Sequence, residues 1–175
     1  MKNKTQTEDS ANVNFSTNEM TQQTVHLDVK DLAILRLLQN NARMSVKEIS
    51  EAVQLSTTPV HERIKRLEAN GVIKQYATLI DGAKVRKGLM VICYVSLNQH
   101  SKKSGGQFIK LINDLPDVVE CYSISGEFDF MLKIVTEDMN SYYNFHVNKL
   151  SQADNISQVQ SVFIMGVVKQ THLIV

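Results

Sequence analysis

Residues 45–71 read SVKEISEAVQLSTTPVHERIKRLEANG, which contains the start and stop signals of two successive helices. Ser45 and Glu48 form an S-x-x-E capping box, so a short helix is predicted to begin here. Ser56 is a favourable N-cap for a second helix, and Gly71 lies where that helix is expected to end. Because the connection between the two helices is brief, the pair is typical of a helix-turn-helix.

Another amphipathic helix is predicted immediately before this pair. Leu32, Leu35 and Leu38 recur at helical spacing and form its apolar stripe. Asp28, with Asp31 three residues later, resembles a weak cap at its start. A helix-turn-helix needs a supporting helix of this kind, so the three predicted helices are expected to form one small domain.

A β pattern follows the helices and closes the first domain. Short strands are predicted at Val72-Ile73 and from Tyr76 to Ile80, where Asp81-Gly82 is a turn signal. We therefore predict a helix-turn-helix domain with a β extension at residues 26–80 and a linker at residues 81–88.

Residues 89–175 alternate between strand-like and helix-like patterns in the order β-α-β-β-α-β. This order is the split βαβ arrangement of ferredoxin-like folds, so the whole chain is predicted to be an α+β protein. The second of its helices is expected to begin after Asp138 and to bury Met139, Tyr143, Val147 and Leu150. Strands are predicted at residues 89–98, 118–125, 128–135 and about 158–174, with a loop at residues 101–106 and a helix that buries Phe108, Leu111, Ile112 and Leu115.

The net charge of +1 conceals an uneven distribution along the chain. Residues 1–25 carry a net charge of −1, residues 26–90 of +4 and residues 91–175 of −2. All five arginines lie in the basic middle segment. A basic domain beside an acidic one indicates an anionic partner for the first, and double-stranded DNA is the partner that a helix-turn-helix predicts.

The composition excludes several classes of protein. With 43% apolar residues the chain can bury a core, whereas residues 1–25 include fourteen Asn, Gln, Ser or Thr and predict a disordered tail. No apolar run reaches the length of about 18 residues that a transmembrane helix needs, and the N-terminus lacks the apolar segment of a secretory signal. Cys93 and Cys121 are too few for a disulfide scaffold and are predicted to be reduced, buried thiols in a cytoplasmic protein with no membrane partner.

The second helix of the pair has two distinct faces. Val60, Ile64 and Leu67 recur at spacings of four and three residues and are predicted to face the core. The opposite face carries groups that match the donors, acceptors and phosphates of a DNA major groove. The alternative is a solvated surface on which the arginines pair with Glu62 or Glu68. The predicted DNA-binding residues are Ser56; Thr57, Thr58 and His61, expected to reach base edges; and Arg63, Lys65 and Arg66, expected to reach phosphates.

Three stretches of the sequence resemble one known family. Residues 27–76 (LDVKDLAILRLLQNNARMSVKEISEAVQLSTTPVHERIKRLEANGVIKQY) resemble the winged helix-turn-helix of the Lrp/AsnC family of prokaryotic transcriptional regulators. Residues 120–134 (ECYSISGEFDFMLKI) and 167–171 (VVKQT) resemble the effector-binding, RAM-type domain of that family. The resemblance covers about residues 26–175. It implies a homodimer built through the ferredoxin-like domains, further assembly into tetramers or octamers, and amino-acid effectors bound between dimers.

The turn at residues 125–129 is the candidate effector site. Backbone N–H groups beside Gly126 could receive a ligand carboxylate, while Glu127 or Asp129 could receive its ammonium group. From the spacing alone, a simple hairpin with solvated acids is the alternative. The family resemblance implies that this turn binds leucine or another small amino acid, with Ser125, Gly126, Glu127, Phe128 and Asp129 as candidate contacts.

No catalytic or metal-binding motif accompanies these sites. The five histidines lack H-x-x-x-H spacing, the two cysteines lack C-x-x-C spacing, and the sequence contains no G-x-S-x-G. We therefore predict a transcriptional regulator with no cofactor and no enzymatic activity. Two alternatives stay open: an architectural, chromatin-like DNA-binding protein with little ligand response, and a small-molecule enzyme with a fused helical domain.

Overall fold

The computed structural model describes residues 25–99 and 101–175, so nearly all of the predicted disordered tail lies outside the described residues. The described residues form two compact units. One comprises residues 80–167, and the other comprises residues 25–79 together with the C-terminal residues 168–175. Within the described ranges, no helix has the length and apolar character needed to cross a bilayer.

Three helices form the N-terminal unit. Their bounds are Val29–Asn40 (α1), Val46–Val53 (α2) and Thr57–Ala69 (α3). Residues 54–56 connect α2 to α3, and Gln54 adopts the left-handed conformation that ends α2 within this short turn. The predicted helix-turn-helix is therefore confirmed. Apolar side chains from all three helices are buried together: Ile34, Leu35, Leu38, Ile49, Val53, Val60, Ile64 and Leu67.

The starts of these helices follow local capping chemistry. Ser45 Oγ accepts the N–H of Glu48 at 3.3 Å, and the Glu48 carboxylate accepts the N–H of Ser45 at 2.7 Å, so the predicted capping box is confirmed. The start of α1, where we predict only a weak cap, has a full capping box between Asp28 and Asp31. Ser56 occupies the N-cap of α3 but makes no side-chain hydrogen bond there, contrary to our expectation.

Replacing Ser45 by alanine is expected to lower the free energy of unfolding by about 1 kcal/mol, because the N–H of Glu48 loses its acceptor. The matched substitution Ser56→Ala removes the same hydroxyl from an N-cap that makes no side-chain hydrogen bond. It is expected to change that free energy by less than about 0.5 kcal/mol. Urea denaturation followed by far-UV circular dichroism measures both variants, and equal losses would contradict the difference between the two caps.

Residues 72–81 contain no strand, so the two short strands predicted there are wrong. The N–H groups of Val72 and Ile73 instead donate to Leu67 O, at 2.9 and 3.1 Å, and complete the end of α3. Residues 76–80 are exposed, and no strand within the described part of the chain pairs with them. A strand-like pattern does not make a strand unless another strand accepts its backbone hydrogen bonds.

The second unit contains a four-stranded sheet with two helices on one face. After a 3₁₀ turn at Gly82–Val85, its elements are Leu89–Leu97 (β1), Lys102–Asn113 (α4), Val118–Ser123 (β2), Phe130–Thr136 (β3), Met139–Asn148 (α5) and Ile156–Phe163 (β4). The strand order is β2-β3-β1-β4 with antiparallel neighbours throughout, so the predicted ferredoxin-like arrangement is confirmed. Alternate residues of the central strands, including Val91, Cys93, Leu132 and Ile134, pack under the helices.

Two boundaries of this unit differ from our predictions. α4 begins within residues 101–106, where we predict a loop, because Ser101 Oγ accepts the N–H of Ser104 at 3.1 Å and caps an earlier start. β4 ends at Phe163, which pairs with Val91 of β1, and does not extend to Ile174. The N–H of Ile164 makes one more hydrogen bond, to Met90 O at 3.1 Å, and residues 165–174 then pair with no strand of the described chain.

α5 turns a different face to the sheet from the one that we predict. Tyr142 and Phe145 are buried, and the two rings pack with their centroids 6.4 Å apart. Both this pair and the predicted set recur at helical spacing, so periodicity alone does not choose between them. Of the residues predicted to be buried, Leu150 is buried just beyond the helix, whereas Met139, Tyr143 and Val147 are 55%, 64% and 40% exposed.

Candidate nucleic-acid interface and effector turn

The predicted recognition face of α3 is exposed to solvent. Val60, Ile64 and Leu67 are buried against the other two helices, as their spacing predicts. The positions between them therefore point away from the core of the domain. The exposed residues of α3 and its cap include Ser56, Thr57, Thr58, His61, Glu62, Lys65 and Arg66, whereas Arg63 is half-buried.

The exposed groups follow a definite order along α3. Thr58 and His61 lie near its N-terminus and offer a hydroxyl and an imidazole, each able to form hydrogen bonds with base edges. Glu62 carries an acceptor of the kind that pairs with the amino group of cytosine. Lys65 follows with a cation suited to a phosphate. This face can therefore contact bases near the start of the helix and the DNA backbone further along.

Arg63 and Arg66 are held by ion pairs within the domain. Arg63 Nη1 donates to Asp28 Oδ2 at 2.6 Å and to Asp31 Oδ1 at 2.7 Å, and Arg66 Nη2 donates to Asp31 Oδ2 at 2.6 Å. Hydrogen bonds to Asp28 and then Asp31 raise the pKa of the Arg63 guanidinium. The N–H of Asp31, followed by Arg63, lowers the pKa of the Asp28 carboxyl. The partners are carboxylates at the start of α1 and not the glutamates of α3 that the alternative interpretation proposes.

From the sequence we predict only a capping role for Asp31, whereas in the structure it also holds two arginines. Its side chain is 1% exposed and accepts hydrogen bonds from both arginines. One feature of the sequence could have indicated these ion pairs. Asp28 and Asp31 are one helical turn apart, and so are Arg63 and Arg66. The sequence does not show that these two turns face each other.

The predicted effector turn joins β2 to β3. Gly126 has a φ angle of +127°, in the region that favours glycine. Ser125, Gly126 and Glu127 are exposed, while Phe128 and Asp129 are half-buried. The Phe128 ring packs on the ring of Tyr94 in β1, with 5.4 Å between the centroids. The five residues therefore form a single turn with its acidic tip in solvent and its base attached to the sheet.

Asp129 ties this turn to β1. Its Oδ2 accepts the N–H of Leu97 at 2.8 Å, and its own N–H donates to Val95 O at 2.9 Å. Its carbonyl oxygen accepts the N–H of Ile124 at 2.9 Å, which closes the turn. The Asp129 carboxylate thus maintains the shape of the turn, and Glu127 is the acid exposed at the tip.

The two cysteines are separate from both candidate sites. Cys93 is buried under the helices with its Sγ 3.0 Å from Tyr142 Oη, and burial raises the pKa of its thiol. Cys121 is exposed on β2, so the prediction that it is buried is wrong. Among residues 25–99 and 101–175, no three His, Cys, Asp or Glu side chains are grouped as metal coordination requires.

Each unit matches a known domain family. Residues 27–74 match the winged helix-turn-helix DNA-binding domain, and residues 90–174 match the Lrp/AsnC ligand binding domain. The transcriptional regulator AzlB of Bacillus subtilis is 36% identical over 147 residues, which span 84% of this chain and 94% of that protein. This chain belongs to the Lrp/AsnC family.

Other Lrp/AsnC relatives match over the same extent. The leucine-responsive regulatory protein of Haemophilus influenzae is 34% identical over 149 residues, covering 85% of this chain and 90% of that one. The crystal structure of a Neisseria meningitidis transcriptional regulator in complex with L-Met superposes with a TM-score of 0.81 at 33% identity. That match covers 84% of this chain and 95% of the other. The chain is therefore a DNA-binding transcriptional regulator of the Lrp/AsnC type, with a helix-turn-helix followed by an amino-acid-binding type of domain.

Proposed function

We propose that this Lrp/AsnC protein reads duplex DNA through α3 and that a free amino acid bound at residues 125–129 controls the binding. The observation that carries the proposal is the exposed face of α3, where polar and cationic groups lie opposite the buried apolar stripe. Base contacts specify a sequence and phosphate contacts position the protein on it. The proposed base contacts are Thr57, Thr58 and His61, which lie just after the N-cap residue Ser56. The proposed phosphate contact is Lys65.

The proposed effector is leucine or another small amino acid. Two relatives support this class of ligand: the Haemophilus influenzae protein is named leucine-responsive, and the Neisseria meningitidis regulator was solved with L-Met. In this chain, the exposed backbone beside Ser125 and Gly126 would receive the ligand carboxylate and Glu127 its ammonium group. Phe128 and Asp129 would hold the turn in place against β1.

We propose that the protein forms a homodimer through the open face of its sheet. The face opposite α4 and α5 carries Ile92, Tyr94 and Met131, and Tyr94 is paired with Met131 in neighbouring strands. Lys133 on the same face pairs with Glu120 at 2.8 Å, so covering this face would not leave the lysine without a counter-ion. A two-fold dimer would present two copies of α3 to two DNA half-sites. Dimers would assemble into tetramers or octamers whose populations the amino acid shifts.

In this proposal the protein is a cytoplasmic regulator and not an enzyme. Residues 26–80 would bind DNA, residues 81–88 would link the domains, and residues 89–175 would bind the effector and self-associate. The matched relatives support a regulatory role because one is named a transcriptional regulator and the other a leucine-responsive regulatory protein.

The DNA-binding half of the proposal is tested by selecting duplexes from a randomised library with the purified full-length chain. We expect one enriched sequence whose affinity exceeds that of a scrambled duplex by a factor of about 10³ or more. Equal binding to all duplexes, controlled only by salt, would instead support the chromatin-like alternative.

The sensing half is tested by a thermal-shift screen with the twenty amino acids. A ligand that binds only the native state stabilises it by about 2.7 kcal/mol at 100 times its dissociation constant. We expect one small apolar amino acid to raise the melting temperature and to change the affinity for the selected duplex, with its D-enantiomer as the control. No shift with any amino acid, together with unchanged DNA affinity, would contradict the sensing role.

A further inference from the structure

A chain of four charges, with the buried Asp31 carboxylate within it, connects α1 to α3. In order, Asp28 pairs with Arg63, Arg63 with Asp31, and Asp31 with Arg66, at distances of 2.6, 2.7 and 2.6 Å. The Asp31 side chain at its centre is 1% exposed and also accepts the N–H of Asp28 at 3.1 Å. A carboxylate removed from water in this way is tolerated only when it is fully paired.

We propose that Asp31 and Arg63 are positioning residues, which set the orientation of α3 for reading DNA, and that Arg63 does not contact DNA phosphate. The inference rests on the proposed DNA-binding function and corrects the phosphate role that the sequence suggests for Arg63. Asp31 and Arg63 would thus contribute to sequence discrimination without touching the bases.

Apolar packing alone leaves the rotation of α3 loosely defined. The side chains that hold it against α1 and α2 are Val60, Ile64 and Leu67, and apolar contacts of this kind are non-directional. Charge-assisted hydrogen bonds have narrow distance and angle requirements, so they select one rotation of a helix among several that bury the same surface. The apolar stripe therefore determines which side of α3 faces outward, and the ion pairs set the rotation of the helix within the range that the stripe allows.

The geometry also explains why Arg63 is unsuited to a phosphate. Both contacts to carboxylates use Nη1, one of the three guanidinium nitrogens, and the two pairs fix the position of the Arg63 side chain against α1. The Arg63 side chain is 25% exposed, whereas Lys65 lies exposed on the outer face. Moving Arg63 to a phosphate would leave the buried Asp31 carboxylate with Arg66 as its one remaining arginine partner, at a substantial cost in free energy.

The substitutions Arg63→Gln and Lys65→Gln remove one positive charge each from the same turn of α3 and form the matched comparison. The probe is the duplex that the wild-type chain selects from a randomised library, with a scrambled duplex for non-specific binding. For Arg63→Gln we expect the ratio of specific to non-specific affinity to fall by about tenfold or more, with an unchanged salt dependence. For Lys65→Gln we expect the slope of log affinity against log salt concentration to decrease by about 0.9, with little change in the ratio.

Conservative variants separate positioning from phosphate binding. A lysine can replace an arginine at a phosphate, but its side chain ends one bond before Nη1 and does not reproduce the contacts to two carboxylates. Arg63→Lys is therefore expected to reduce the ratio of specific to non-specific affinity as much as Arg63→Gln does. Asp31→Asn is expected to give the same loss, and the double variant with Arg63→Gln is expected to lose no more than either single variant.

Asp28→Asn provides a variant that is expected to fold in all cases, because asparagine is an equally good N-cap. It removes one of the two carboxylates that hold Arg63 and is expected to lower the affinity ratio several-fold. The proposal is overturned if Arg63→Gln reduces the salt slope by about 0.9 and Arg63→Lys restores it. It is also overturned if Asp28→Asn and Arg63→Lys both keep the wild-type affinity ratio. A wild-type chain that selects no duplex would instead contradict the DNA-binding function itself.

Discussion

Replacing Thr58 and His61 together by alanine is expected to reduce the ratio of specific to non-specific DNA affinity by about 100-fold, because each base contact contributes about 1–3 kcal/mol of discrimination. Both side chains are exposed near the N-terminus of α3, and neither belongs to the buried apolar stripe. The free energy of unfolding is therefore expected to change by less than about 0.5 kcal/mol for each substitution. Affinities for the selected and scrambled duplexes at one salt concentration measure the ratio.

A composition-matched control is available elsewhere in the chain. Thr171→Ala with His172→Ala removes the same two side-chain types from the C-terminal segment, and we expect it to leave the affinity ratio unchanged. Scrambled-duplex binding by the Thr58/His61 variant should stay near that of the wild type, since its phosphate contacts are retained. A uniform loss of affinity across all duplexes would show that these two residues do not read bases.

The substitution Asp129→Ala is expected to abolish the response to the amino-acid effector and to lower the free energy of unfolding by about 1–3 kcal/mol. The structural reason is that the N–H of Leu97 loses its acceptor, Asp129 Oδ2 at 2.8 Å, and the turn is no longer tied to β1. The response is measured as the thermal shift produced by the amino acid that stabilises the wild type most. DNA affinity without ligand is expected to be largely intact.

Two further variants separate turn geometry from charge at this site. Asp129→Asn keeps a carbonyl acceptor for Leu97 and is expected to retain most of the stability that Asp129→Ala loses. Glu127→Gln removes the exposed acid at the tip of the turn and is expected to weaken effector binding with no loss of stability. If the Asp129→Ala variant keeps the full effector response, Asp129 is not part of the site.

The ion pairs reduce the positive charge that residues 26–90 can present to DNA, in a chain whose net charge is only +1. Two of the arginines that make residues 26–90 basic pair with Asp28 and Asp31 and so contribute little net field at the surface of α3. Binding strength in such a protein is expected to come from several DNA-binding domains acting together in one assembly. This expectation is consistent with the homodimer that we propose.

Signals within one turn of helix or one hairpin predicted much of the fold. The capping box at Ser45, the apolar stripe of α3 and the order of strands and helices after residue 88 are all confirmed. Each depends on neighbours a few residues away, so their physical cause is contained in the local sequence. The predicted recognition face is exposed for the same reason, because the buried stripe determines the opposite side of the helix.

Interactions between distant residues decided the rest. The buried face of α5 depends on how the helix packs against the sheet, and the end of β4 depends on its pairing with β1, which stops at Val91 and Phe163. The strand-like residues 76–80 lack a paired strand among the described residues. Likewise, Arg63 pairs with carboxylates 32 and 35 residues away in the sequence. By itself the sequence determined which segments form helices, which side of α3 is apolar and which turn carries the acids, because propensity, capping and periodicity are local. Only the tertiary structure decided which polar groups are used in holding the domain together and which remain exposed, because that depends on which surfaces the folded chain brings into contact.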